Sequence, residues 1–121
     1  MPDDRKSLGA EGERAAESFL RRQRYTILER NYRCRAGEVD LIALDGRVLV
    51  FIEVKTRRYR GTGSPLEAVG HHKQRQIARV AQHYVSTHRL EGRNARFDVV
   101  GIWWENGEAH CELVRNAFEL E

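Results

Sequence analysis

The sequence predicts an α/β fold: a central mixed β-sheet flanked by helices, in the order α-β-β-β-α-β-β, with residues 1–121 forming one domain. Three observations predict it. Two apolar, β-branched runs, Gly37–Leu44 and Arg47–Thr56, flank Asp45-Gly46, a strong hairpin signal. Amphipathic stretches over residues 7–24 and 71–89 bracket that hairpin. A further apolar run over residues 96–103 leads through Asn106-Gly107 into residues 109–114, a second hairpin.

In chain order, Leu8, Gly12, Ala15, Ala16, Phe19 and Leu20 recur at helical spacing, with Ser7 as the expected N-cap. Glu13 lies on the inward side of that helix, in line with Gly9, Ala16 and Leu20, whereas Glu17 falls on the polar side. Tyr25–Arg33 alternates loosely and reads as a strand, joined to the hairpin by the basic stretch Arg33-Cys34-Arg35. Ser64-Pro65-Leu66-Glu67 is a capping box that starts a helix, which Gly70 can kink or divide. Beyond it Ile77, Val80, Ala81, Tyr84, Val85 and His88 share one face, and Lys73 lies one turn before Ile77, pointing toward the hairpin's acids, with Gln74 beside it. The helix then crosses over to a strand parallel to the hairpin's second strand. Asp98 is expected near the start of that strand, and of Trp103 and Trp104 one is expected packed and the other partly exposed.

Composition narrows the function classes. The chain is 40% hydrophobic and holds no apolar run near the ~20 residues of a membrane span, so a cytoplasmic protein is expected. Cys34 and Cys111 have no C-x-x-C or zinc-like spacing and read as free buried thiols. The net charge is only +3, but residues 54–96 hold ten Lys or Arg against two acids, while residues 97–121 hold one Arg against six acids. A basic segment directly after the hairpin suits a polyanionic partner, and equally a solvated basic face.

The chemistry is expected on the hairpin. With Asp45 and Gly46 as the two turn residues, Leu44 faces Arg47, Ile42 faces Leu49 and Asp40 faces Phe51. Alternation then places Asp40, Glu53 and Lys55 on one side, with Glu38 opposite Glu53. Two carboxylates a few ångströms apart repel by roughly 4 kcal/mol at an effective dielectric near 20, so a positive partner is required. A divalent cation such as Mg²⁺ or Mn²⁺ meets that need. Neutralisation by Arg33, Arg35 and Lys55 is the rival reading, as is a Glu13 salt bridge to Arg33 or Arg35.

An Asp on one strand followed by Glu-x-Lys on the next resembles the PD-(D/E)XK signature of restriction-endonuclease-like metal nucleases. Gly37-Glu38-Val39-Asp40-Leu41-Ile42 and Phe51-Ile52-Glu53-Val54-Lys55-Thr56-Arg57 are similar to the YraN-like family of small bacterial proteins, themselves related to archaeal Holliday-junction resolvases. The likeness runs from about Gly9 to Phe118. It implies a restriction-endonuclease-like fold and a metal-dependent nuclease acting on DNA, with branched or structured DNA among its substrates and a homodimer as one functional form. In that picture Asp40 and Glu53 bind Mg²⁺ or Mn²⁺, with the Val54 carbonyl available to join them, and Lys55 assists the attacking water. Glu13 and Gln74 support the site, and Arg57, Arg58, Arg60, Lys73 and Arg75 hold phosphates. The alternative is a nucleic-acid-binding module that keeps the scaffold without turnover; a protein-interaction domain with a structural acid cluster is a third.

Overall fold

The computed structural model describes residues 5–57, 61 and 63–119. Helix α1 (Arg5–Arg22) leads into strands β1 (Tyr25–Cys34), β2 (Gly37–Asp45) and β3 (Val48–Thr56). A 3₁₀ turn (Pro65–Ala68) and helix α2 (His71–Thr87) then connect to β4 (Ala95–Glu105) and β5 (Glu108–Phe118). The five strands form one mixed sheet in the order β1-β2-β3-β4-β5, antiparallel throughout except for β3 and β4, which the α2 crossover makes parallel. The fold is α/β, consistent with the restriction-endonuclease-like order the sequence predicts.

The helices cover opposite faces. On the α1 side, Ala16 and Leu20 pack on Leu41, Val50, Ile52, Val100 and Ile102. On the α2 side, Ile77, Val80, Ala81 and Tyr84 pack on Ile42, Leu49, Phe51 and Val99. Strands β3 and β4 are therefore apolar on both faces, as a parallel pair buried between layers must be. Cys34 packs against the α2-side cluster and Cys111 against the α1-side cluster, so both remain free, half-buried thiols.

Several local expectations are corrected. The first helix begins at Arg5, which places Ser7 inside it, and it closes before Arg24, whose φ of +70° ends the helical run. The first hairpin turns on Gly46-Arg47, because Asp45 pairs with Val48; Gly46 supplies the positive φ (+62°) that the first position of a type II′ turn needs. Leu44 thus faces Leu49 and Ile42 faces Phe51, two residues away from the expected register. An even slip leaves every side chain on its expected face. Ser64 does cap a helix, accepting a bond from Leu66 N at 3.2 Å, but that helix is only the 3₁₀ turn, and Gly70 caps α2 separately. At the second hairpin Asn106 (φ +51°) and Gly107 (φ +79°) both sit in the left-handed region, the type I′ geometry their identities predict. Both tryptophans are partly covered: Trp104 packs against the α1-side cluster, while Trp103 stacks on His110.

Gly12 fixes how closely α1 approaches the sheet. A Cβ there would lie 2.1 Å from Thr56 Oγ1, so only glycine lets this turn of α1 close onto the end of β3. That contact brings Glu13, the next residue, to the mouth of the site.

Candidate functional site

The candidate site lies where the sheet opens. The ladder between β2 and β3 reaches only to the Leu41–Ile52 pair, whereas β3 continues to Thr56 along β4. Past Ile52, β3 has lost β2 as a backbone partner. Asp40 fills part of that fork: its Oδ2 accepts a hydrogen bond from the Val54 N–H at 2.7 Å, a side chain standing in for the missing ladder bond.

Glu53 lies beside it and is 5% exposed. Its Oε1 is buried with no hydrogen-bond partner among the described residues. Burial, then the neighbouring Asp40 carboxylate, pushes the Glu53 carboxyl up to about 7, against the partial relief given by Lys73 and Lys55. Lys73 Nζ stands 3.6 Å from Glu53 Oε2 and donates to the Glu38 carbonyl at 3.1 Å and to Gln76 Oε1 at 3.0 Å. The cation is shared rather than committed to Glu53. From the opposite layer comes Glu13, whose carboxyl is raised by burial, by Asp40 and by Glu38, in that order. A cleft of about 670 Å³ is lined by Glu13, Asp40, Val54, Lys55, Thr56 and Arg57, together with Leu8 and Gly9.

The structure thus brings together Glu13, Asp40, Glu53, Lys55 and Lys73, which are separated by up to sixty positions in sequence. Gln74 is placed differently: its Nε2 donates to the Val69 carbonyl at 2.9 Å, tying α2 to the preceding turn. The glutamine that reaches the cluster is Gln76, which holds Lys73 and packs over Gly37, where a Cβ would lie 2.5 Å from its side chain. Gly37, with φ +139°, was the available clue to that close approach. Arg57 borders the cleft, its N–H bonded to the Ile102 carbonyl at 2.8 Å. Arg58, Tyr59 and Arg60 lie outside the described residues. Arg75 is exposed and lines a separate groove with Arg79, Phe51 and Phe97.

The arginine rival is met only at the periphery. Arg33 pairs with Glu38 at 3.0 Å, both side chains largely exposed, so this arginine offsets the outer acid and not Glu53. Among the described residues no group of three or more His, Cys, Asp or Glu side chains assembles that could hold a metal. Any metal here would therefore rest on two carboxylates. Asp98 is no edge residue: it is fully buried, and bonds to Arg96, Tyr25 and the Asn116 N–H.

The strain on Glu53 has a measurable consequence. Unfolded, its carboxyl titrates near the model value of 4.5; folded, near 7. Between those values the native state holds a proton that the unfolded chain has released. Stability contributed by this group is full below about pH 4.5 and falls as pH rises through 7. Glu53→Gln is expected to flatten that slope and, in EDTA at pH 8, to be more stable than wild type by up to about 3 kcal/mol. Urea midpoints at pH 5 and pH 8 check it; a variant less stable than wild type at pH 8 would contradict it.

A profile of the uncharacterised protein family UPF0102 matches residues 12–102. The chain belongs to UPF0102. It is 48% identical over 115 residues to a UPF0102 protein of Geobacter metallireducens, covering 95% of this chain and 94% of that one. To a UPF0102 protein of Pelobacter propionicus it is 50% identical over 122 residues, covering 98% and 86% respectively. A UPF0102 protein of Moorella thermoacetica is 43% identical over 120 residues, covering 98% of this chain and all of its own length. The span matched by the UPF0102 profile takes in Glu13, Asp40, Glu53, Lys55 and Lys73.

Proposed function

We propose that this UPF0102 member is a metal-dependent nuclease that hydrolyses DNA phosphodiester bonds, with branched or structured DNA as its substrate class. The observation that carries the reading is the buried, unpartnered Oε1 of Glu53 beside Asp40. An acid kept at that energetic disadvantage, within reach of a second acid, fits a hard dication that takes oxygen ligands from one or two carboxylates. Asp40 and Glu53 would hold Mg²⁺ or Mn²⁺, and the Val54 carbonyl is a third candidate oxygen. When bound, the metal supplies charge for the phosphate oxygens and lowers the pKa of a water.

The chain's own groups do the rest. Lys55, lining the same cleft, offers an ammonium to orient the attacking water and to offset charge growing on the phosphate. Lys73 keeps Glu53 in its rotamer and, in the absence of a dication, partly balances it. Glu13 faces Asp40 across the cleft with a raised pKa and is suited to hold or relay a proton near the water. Arg57, at the rim, is placed to steady a phosphate.

Among the described residues no helix is long and apolar enough to cross a membrane. A cytoplasmic site of action belongs to the proposal, as does a homodimer, the form that would present two equivalent sites to a four-way junction. Titration calorimetry with Mn²⁺ tests the metal step: wild type should bind, and Asp40→Asn should lose binding by at least about tenfold. Equal binding by both proteins would remove Asp40 from the site.

A further inference from the structure

Next to the carboxylate cleft lies a second, narrower crevice lined by Lys55, Arg57, Pro65, Gly101, Trp103 and Glu112. Lys55 and Arg57 border both. The register explains the adjacency. Lys55 pairs with Gly101 across the parallel ladder, and Trp103 is the next residue of β4 to project from the same face, one pleat of roughly 7 Å farther on. Gly101 lets Pro65 close down over the strand, since a Cβ there would lie 2.6 Å from the proline ring. Trp103 is thus the first large side chain beyond the two cations.

Its indole is held rather than loose. It stacks on His110 with ring centroids 5.8 Å apart and planes 16° from parallel, and its Nε1 donates to Glu105 Oε1 at 3.1 Å. The ring is half-buried, which leaves part of it accessible. Charge is divided across the crevice: cations on β3 and beyond, carboxylates (Glu105 and Glu112) on the β4–β5 hairpin. A phosphate is attracted to the Lys55–Arg57 side and repelled from the Trp103 side. An uncharged base suffers no such repulsion and gains the aromatic face.

We propose that Trp103, braced by His110, is a base-stacking platform that selects DNA carrying an unpaired nucleotide beside the phosphate held at Lys55 and Arg57. The inference rests on the DNA-hydrolase reading and deepens it by naming the substrate class. In an intact duplex each base stacks on its neighbours and cannot present a face to Trp103; a flap, gap or junction arm can.

Binding in EDTA tests this without requiring turnover, using a labelled oligothymidylate and a labelled blunt duplex of equal length. Trp103→Ala is expected to bind the single strand about tenfold more weakly than wild type and the duplex within about twofold of it. Trp103→Phe, which keeps an aromatic face, should recover single-strand binding to within about threefold of wild type. Equal weakening on both probes, or none on the single strand, would overturn the platform while leaving the nuclease reading in place. Failure of wild type to bind either probe would instead overturn the DNA reading, and the platform with it.

Discussion

Glu53→Ala and Lys55→Ala are each expected to lower Mn²⁺-stimulated DNA cleavage by at least about 10²–10³-fold, with the circular dichroism spectrum unchanged. The two variants fail for different reasons. Glu53→Ala removes one of only two carboxylates that the described residues offer to a metal at this fork. Lys55→Ala leaves both carboxylates but removes the ammonium bordering the cleft. Loss of structure is a poor rival explanation for the first, because a buried acid pushed up to about 7 weakens the fold at neutral pH and its removal relieves that penalty. Cleavage should be assayed on linear, flapped and four-way DNA. Undiminished activity of either purified variant would remove the role assigned to that residue, and absence of hydrolysis by wild type on every substrate would favour a binding module that keeps the scaffold.

Arg96→Met is expected to destabilise the protein by about 3–5 kcal/mol, read from urea denaturation, without reaching the carboxylate site. Asp98 is fully buried on β4 and is held by Arg96 Nε at 3.0 Å, by Tyr25 Oη at 2.7 Å and by the Asn116 N–H at 2.9 Å. Arg96 also reaches Asp45 Oδ2 at 2.7 Å, so one guanidinium ties β4 to the turn end of β2. Burial and the Asp98 bond push the Tyr25 hydroxyl up to about 12, which keeps it a hydrogen-bond donor at any ordinary pH. Removing the arginine leaves Asp98 charged in the core with two neutral donors. The double variant Arg96→Met/Asp98→Leu should regain most of the loss, since the unpaired charge goes with its partner. A loss under 1 kcal/mol for the single variant would mean that Tyr25 and Asn116 suffice for Asp98.

Much of the site was legible because parity is a local property. Alternation along β2 and β3 needs no knowledge of the partner strand, so the expected common side of Asp40 and Glu53 survives a hairpin register two residues away from the one anticipated. The inward phase of Glu13 follows similarly from helical period, and Gly70 marked a real division between the 3₁₀ turn and α2. Gln74 and Asp98 show where such reasoning stops. Gln74 and Gln76 are two residues apart on α2, and which of them meets the cluster depends on where the preceding turn docks. Asp98 looked peripheral because its partner Tyr25 is 73 positions away, and no local pattern announces that pairing.

Taken alone, the amino-acid order determined the elements, their polarity and the faces on which the acids stand, because period and turn chemistry act over only a few residues. Tertiary structure decided what surrounds those acids: the fork that gives Asp40 the Val54 N–H, the burial that leaves Glu53 Oε1 without a partner, and the Lys73 ammonium shared among three acceptors. Desolvation and charge pairing depend on every layer that closes over a group, and those layers are fixed only when both helices have packed on the sheet.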